Sequence, residues 1–428
     1  MATTNHNHIN YQTRIDFVQN LIKEQFGIDK KPKITPLQYD PDSPYKYNNF
    51  VYHVTLPSPI TTTQTTKKPG FVPIPANTKD LIFRLTNSAA DGMHMATRVE
   101  NEVAIISLAS AALAGITPHV VPSVYAWSGA AGEGSQGWMI QEFMSGVPLN
   151  ESYEAMSLDE KRGVFAQIAR ILKGLQDYKL PESITDFGGV TFDDDGRVIS
   201  AAMTTVGAGP WESYEASFKG RLKVALEKAD GNPYIKGWRA NGIRQRLDAF
   251  VESGVSKQFE GLESKEERVI VHADFTTFNI LFNPQTTRIT ALLDYDFSFI
   301  SHPSYEHLRS FSDTGGQFRG WTSSETLSDT EVRNAKLHGF PSPLPPDGEH
   351  QWDVLKAWEE ELERCDVKRP RNIKGMEGVA DVDSVLEGVL PFRLDNSDVL
   401  KLQSEEVVLG CRRESEVVLD GLLTRLGY

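Results

Sequence analysis

The sequence is poor in cysteine, with two in 428 residues, Cys365 and Cys411. That excludes a disulfide framework and a cysteine-built metal cluster. It fits a reducing compartment, where both thiols are expected to be inert packing residues. No apolar run approaches the roughly 20 residues of a membrane span. Residues 1–8 are polar and lack an apolar signal core, so a cytoplasmic protein with no membrane partner is expected. Positive charge is also short. Lys plus Arg number 44 against 58 for Asp plus Glu, a formal net of −14. Nucleic-acid binders carry a basic face, so that partner class is disfavoured. No internal repeat is present, which excludes solenoids and propellers. Asn150-Glu-Ser152 spells a glycosylation sequon, but without a secretory signal it carries no meaning. His6 and His8 read as a solvated tail rather than a metal site. Nothing in the pattern fixes an oligomeric state.

What is present centres on residues 271–297. An apolar run enters His272-x-Asp274-x-x-x-x-Asn279, and two short apolar stretches joined across 283–287 then lead to Asp294 and Asp296. The two stretches read as a hairpin that carries Asp294 back beside Asn279. A lone Asp-x-x-x-x-Asn is common in polar loops, but this conjunction matches a kinase catalytic loop followed by a metal-binding aspartate. Phosphoryl transfer needs a carboxylate beside the attacking hydroxyl and oxygen ligands for Mg²⁺. Asp274 suits the first task, and Asn279 with Asp294 the second.

Upstream, residues 13–26 have helical spacing and residues 48–56 read as a strand. Residues 57–79, rich in Thr, Pro and Lys, read as an exposed loop. Residues 81–86 form a second strand that contains Arg84. Arg84 is either an edge-strand residue facing water or a cation pointing into a cleft. Thr97 and Glu100 have capping-box spacing at the head of a helix that Gly115 and Pro118 should stop. Glu102 on that helix is either a solvated first-turn acid or the partner of Arg84. Strands are expected at 120–127 and 138–144, and a linker at 145–149. Ser157 and Glu160 form a second capping box before a helix with Val164, Ile168, Ile171 and Leu175 on its apolar face. Further helices are expected at 214–229, 238–252, 352–365, 381–389 and 398–425. Asp186-Phe-Gly188 reads as a hairpin turn, and Gly207-Ala-Gly-Pro-Trp211 lacks the strand–helix context of a phosphate loop.

In this order of motifs the chain resembles the aminoglycoside phosphotransferase family. Phe340-Pro, Leu344-Pro-Pro, Arg369-Pro and Pro391-Phe in the tail resemble its divergent fungal branch. The resemblance implies an α+β, bilobed, protein-kinase-like fold, with a small antiparallel β lobe bearing one helix and a large helical lobe. It divides the chain into an N-terminal helical extension (1–39), a nucleotide-binding lobe (40–144) and a hinge (145–149). A helical lobe with the catalytic loop (150–330) and a C-terminal helical extension packed on it (331–428) follow. It makes Asp274 the catalytic base, with His272 supporting its loop, and Asn279 and Asp294 the Mg²⁺ ligands. Asp296 is either a further metal ligand or a carboxylate behind the ligands. Arg84 stands where the family has a phosphate-contacting lysine, and Glu102 where a helix glutamate pairs with it. Glu142-Phe-Met144 resembles the hinge whose backbone holds adenine. Residues 44–49, ending in Asn49, stand where a glycine-rich phosphate loop would be, yet contain no glycine. Arginine is a fixed fork where lysine is a point charge, so the change at Arg84 is not neutral.

The expected function is ATP- and Mg²⁺-dependent transfer of the γ-phosphate to a hydroxyl of a small molecule. The acceptor pocket is expected in the helical part, between Trp211 and Trp238 and around His302–Glu306. The alternative is a kinase-like binding or regulatory module without turnover. A different ATP-using transfer on the same scaffold is a third reading, since fold does not fix chemistry.

Overall fold

The computed structural model describes residues 7–40, 43–60, 68–130, 136–346 and 348–428. Helix α1 (Tyr11–Phe26) buries Val18, Leu21 and Ile22, which its 3.6-residue period places on one face. Five antiparallel strands follow: β1 (Lys33–Leu37), β2 (Asn49–Thr55), β3 (Asp80–Thr86), β4 (Val124–Ser128) and β5 (Trp138–Glu142). Their order is β1-β2-β3-β5-β4. Side chains alternate across a strand. Tyr52 and Val54 of β2 and Leu81, Phe83 and Leu85 of β3 therefore form one core with α1. The same alternation sends Arg84 to the opposite face. Arg84 pairs with Val51 on one side and Met139 on the other, so β3 is a central strand and the edge-strand reading is overturned.

Helix α2 (Met95–Ala112) packs Val99 and Val103 with Trp127 and Met139, covering the face that bears Arg84. The Thr97–Glu100 capping box does not form. The helix starts three residues earlier than expected, with His94 at the N-cap position, and Glu100 accepts from Thr191 Oγ1 at 2.5 Å and Phe192 N at 3.2 Å instead. Nor is 57–79 simply an exposed loop. Ile60 is buried, Trp127 Nε1 donates to Pro69 O at 3.0 Å, and Val72 N donates to Val124 O at 2.8 Å. Residues 61–67 of that segment lie outside the described residues. His8 bonds the Tyr39 hydroxyl and stacks on Tyr11, so it is not a free tail; His6 lies outside the described residues.

The expected linker contains a short strand, β6 (Val147–Pro148), and is followed by α3 (Asn150–Tyr153) and α4 (Leu158–Asp177). A hairpin, β7 (Gly189–Phe192) and β8 (Val198–Ala201), comes next. Asp186-Phe-Gly188 runs into β7 rather than forming the turn, with Phe187 bridged to Trp211 and Gly188 to Ile300. Helices α5 (Tyr214–Gly231), α6 (Ile243–Ala249) and α7 (Val255–Phe259) lead to β9 (Val269–Val271), β10 (Ile280–Asn283), β11 (Arg288–Leu292) and β12 (Phe299–Ser301). β9 pairs with β12 and β10 with both β11 and β6, so residues 269–301 are two nested hairpins tied to residues 147–148.

The chain closes with α8 (Pro303–Arg309), α9 (Leu327–His338), α10 (Trp352–Arg364), α11 (Met376–Val389), α12 (Phe392–Asp395), α13 (Ser397–Leu402) and α14 (Glu405–Arg425). α10 buries Trp358 and Leu362 against Phe165 and Ile168 of α4. α11 and α14 share a core with α5, where Trp238 Nε1 donates to Val389 O at 2.7 Å. Cys411 is buried and Cys365 half-buried, and both thiols are free. No helix among the described residues is long and apolar enough to cross a membrane. The architecture is the α+β, bilobed, protein-kinase-like fold.

Ser157 does cap α4 with Glu160 in a reciprocal box: Glu160 N donates to Ser157 Oγ at 3.3 Å and Ser157 N to Glu160 Oε2 at 2.8 Å. Ser157→Ala is expected to lower unfolding stability by about 1 kcal/mol. Denaturant titration checks this, with the midpoint shifted and the slope unchanged.

Candidate active site

The nested hairpins explain how the loop after β9 is held. His272 is fully buried against the edge of Tyr295, with ring centroids 4.8 Å apart. Its Nε2 donates to Leu293 O at 2.9 Å and its Nδ1 accepts from Asp274 N at 3.3 Å. Burial lowers its pKa to about 4 against the opposing pull of the Leu293 carbonyl, so the ring is neutral. A neutral imidazole bonded to Leu293 O and Asp274 N ties the two sides of the loop together. The next residue, Ala273, has φ 63°, which a side chain rarely adopts. Glu306 of α8 fixes that bend by accepting from His272 N at 2.6 Å and Ala273 N at 3.0 Å. Ser310 Oγ donates to Glu306 and accepts from Phe275 N at 2.9 Å. Asp313 takes Thr277 N at 2.6 Å. Each of these backbone donors thus meets a side-chain acceptor from α8 or the residues just after it.

Asn279 Nδ2 donates to Asp274 Oδ2 at 2.8 Å and to Asp274 O at 2.9 Å. That spends the amide nitrogen and leaves Oδ1, the atom an amide offers to a metal. Asn279 O accepts from Leu293 N at 2.8 Å, which brings Asp294 beside it as the hairpin reading requires. Burial, then the charge of Asp294, raise the Asp274 pKa to about 7 against the bond from Asn279.

Facing this loop is a buried charge cluster. Arg84 Nη1 meets Glu102 Oε1 at 2.5 Å, and its Nη2 meets Asp294 Oδ1 at 2.8 Å and Asp296 Oδ2 at 3.4 Å. Of the two readings of Arg84 and of Glu102, the structure has the buried pair. Burial opposes the arginine's charge, but the three carboxylates outweigh it, so Arg84 stays cationic. Burial, with the neighbouring aspartates, pushes the Glu102 carboxyl up against the pull of Arg84. Asp296 accepts from Arg98 Nη2 at 2.6 Å, Arg98 Nε at 3.3 Å and Asn49 Nδ2 at 2.5 Å. Burial pushes Asp296 up too, but Arg98 and then Arg84 win and hold it well below the usual carboxylate range.

Arg98 and Asp313 are absent from the sequence reading, which places Glu306 near an acceptor rather than beneath the loop. A signal existed for Arg98, which lies four residues before Glu102 and so on the same helical face. Glu306 and Asp313 have no local signal, because their partners lie about 35 residues upstream. At the end of β5, the Glu142 carboxylate accepts from Ser123 N at 3.1 Å and bonds His119 Nε2 at 2.9 Å, while Glu142 N donates to Ser123 O at 2.9 Å, so the side chain and the backbone N–H are both spent on support. Met144 is half-buried just past β5. The residues expected around an acceptor are largely core or support: Tyr214, Trp238 and Tyr305 are buried, His302 bonds Ser264 and Ser304, and Glu306 serves the loop.

Glu102, Asp294 and Asp296 each offer an oxygen within 4.8 Å of one another. An all-oxygen donor set suits Mg²⁺. Two members are already matched, Glu102 by Arg84 and Asp296 by Arg98. Asp294, with a side chain 38% exposed, is the one with room for an added cation. The residues present therefore fit a hard cation: Asp294 and the Asn279 amide oxygen are the groups that could hold it.

Two outcomes follow from this charge arrangement. Asp274 takes up its proton more readily in the folded chain than in the unfolded one. Its contribution to stability is therefore most favourable below about pH 4 and is lost as pH rises toward about 7. In ligand-free protein, Asp274→Asn is expected to raise the melting temperature at pH 8 and to have little effect at pH 4.5. Thermal scans across pH check this, and equal shifts at both pH values would contradict it. Arg98→Met leaves a buried carboxylate short of its main partner and is expected to lose on the order of 3 kcal/mol in denaturant unfolding.

A profile of the phosphotransferase enzyme family matches residues 74–320, more than half of the chain. A search of curated proteins gave no match. Among solved structures, the chain is similar to a Ralstonia eutropha protein described as an aminoglycoside phosphotransferase, at 14% identity and TM-score 0.49, covering 96% of this chain and 98% of that one. It is also similar to ADP-bound aminoglycoside phosphotransferase APH(2'')-Ib, at 12% identity and TM-score 0.49, covering 95% and 98%. A thermostable mutant of APH(4)-Ia stands at 13% identity and TM-score 0.46, covering 96% and 99%. With a family profile that runs from just before β3 through the loop after β9 and past α8, this chain belongs to the phosphotransferase enzyme family.

Proposed function

We propose that this protein is a cytoplasmic, ATP- and Mg²⁺-dependent phosphotransferase that moves the γ-phosphate of ATP to a hydroxyl of a small molecule. One observation carries the reading. A largely buried carboxylate, Asp274, is hydrogen-bonded to Asn279, whose carbonyl is bonded to the residue before Asp294. A base for the acceptor and two oxygen ligands for a metal thus lie along one loop pair.

In this reading residues 40–144 bind nucleotide, 145–149 form the hinge, and 150–330 carry the catalytic loop. Residues 1–39 and 331–428 are helical extensions. Asp274 orients the acceptor hydroxyl and takes its proton while the new oxygen–phosphorus bond forms and the bond to ADP breaks. Asn279 and Asp294 hold Mg²⁺, which when bound neutralises phosphate charge. Arg84 offers its guanidinium to phosphate, and Glu102 aims it. Asp296 stands behind the ligands and sets Arg98, Asn49 and Arg84 in place. The backbone of Glu142–Met144 serves adenine. His272 keeps the loop in shape. Positioning and charge neutralisation supply most of the rate.

A second reading, a nucleotide-binding module without turnover, is favoured by two features. Residues 44–49 lack glycine, and Arg84 is already bound to Asp294. One experiment separates them. Mg²⁺-ATP at about 100 times its dissociation constant should stabilise the protein by roughly 2.7 kcal/mol, and ATP with chelator far less. Asp294→Asn should abolish the metal-dependent part. Asp274→Asn should keep it and stop ADP release across a panel of hydroxylated acceptors. Binding by the unaltered protein with no ADP release from any acceptor would favour the module. A melting curve indifferent to millimolar Mg²⁺-ATP would remove the phosphotransferase reading and favour a regulatory module that binds no nucleotide.

A further inference from the structure

The connection between β1 and β2 is held from three distant parts of the chain. Lys46 N donates to Asp398 Oδ2 at 2.9 Å. Lys46 Nζ lies 3.2 Å from Asp398 Oδ1, 3.7 Å from Asp91 Oδ1 and 3.0 Å from Ser397 Oγ. Ser397 N in turn donates to Asp91 Oδ2 at 3.1 Å. On the other side, Tyr47 N donates to Asn7 Oδ1 at 2.9 Å and Asn87 Nδ2 donates to Tyr47 O at 2.7 Å. The side chains of Lys46 and Asp398 are 10% and 7% exposed. Exposed ion pairs contribute little, but a pair this dry is costly to open from one side.

Three elements meet at this node: the β1–β2 connection, the β3–α2 connection with Asp91, and the first turn of α13 in the C-terminal extension. Both connections run straight into the charge cluster. The first ends at Asn49, which bonds Asp296. The second opens α2, which carries Arg98 and Glu102. A loop that covers phosphate usually gets its close approach and its shape from glycine. Residues 44–49 have none, so their position must be imposed from outside the loop.

We infer that Lys46 and Asp398 are positioning residues: the C-terminal extension is a strap that holds residues 44–49 over the phosphate side of the cleft. Nucleotide exchanges when Lys46 leaves Asp398. The inference rests on the nucleotide-binding reading above. Lys46 itself does not bind phosphate, because its ammonium is spent on Asp398, Asp91 and Ser397.

The test uses the full chain and has two arms. In the first, hydrogen exchange is followed without nucleotide. Lys46→Met should speed exchange about tenfold both in residues 44–49 and in Ser397–Leu402, leaving α10 and α11 unchanged. In the second, Mg²⁺ with a fluorescent ATP analogue should dissociate about fivefold faster from Lys46→Met. KM for ATP should rise in step while kcat stays within about twofold. Asp398→Asn should behave alike, the double variant should be no worse than either, and Lys46→Arg should stay close to the unaltered protein. Unchanged exchange in the first arm, additive effects of the two variants, or a loss of kcat with KM unchanged would overturn the strap. If the unaltered protein fails to bind Mg²⁺-ATP, the functional reading falls, and the first arm still judges the strap.

Discussion

The site depends on a buried set of opposite charges that neither lobe can satisfy alone. Arg84 comes from β3, Arg98 and Glu102 from α2, and Asp294 and Asp296 from the connection between β11 and β12. An unpaired ion in such a place costs several kcal/mol. The register of β3, the rotation of α2 and the course of the chain after β11 must therefore all be right together. The network stabilises little in net terms, but it makes alternative lobe placements expensive. It also leaves one carboxylate, Asp294, only partly matched, where an added cation gains most.

The loop after β9 obeys the same rule with hydrogen bonds in place of charges. Ala273 and Asp294 both have φ near 62°, and each bend turns backbone donors or a side chain toward one partner. Glu306, Ser310 and Asp313 receive those donors. The loop is held by what lies beneath it, which leaves Asp274 and the Asn279 oxygen uncommitted to support. A neutral His272 completes this arrangement, since a charged ring could not sit fully buried between Leu293 and Asp274.

Membership of the phosphotransferase family frames the chemistry, and two departures give this chain its own character. An arginine on the central strand bridges three carboxylates with a planar fork, a task a lysine point charge does less well. The glycine-free connection before β2 draws its shape from Asn7, Asn87 and the C-terminal extension. These are compatible with each other: a loop that does not bend by itself is paired with tertiary contacts that bend it.

Much of the fold was legible in the sequence because it rests on local periodicity. The 3.6-residue spacing of α1 and α4, the alternation in β2 and β3, and the Ser157 box are written within a few residues. The His272–Asn279 spacing and the hairpin that returns Asp294 are also local. What the sequence could not carry is whatever depends on a partner far along the chain. The Thr97–Glu100 spacing looked like a cap, but Glu100 is taken by Thr191 and Phe192 about 90 residues away. The small hairpin of β7 and β8 is too short to show a period. Sequence alone determined that Asp274, Asn279 and Asp294 come together, because spacing along one loop pair is enough. Only the tertiary structure decided that Arg84 is a buried central-strand cation, that Arg98 and Asn49 claim Asp296, and that Glu306 shapes the loop. Those choices follow from burying charge and backbone polarity, and burial is a property of the packed molecule, not of any segment.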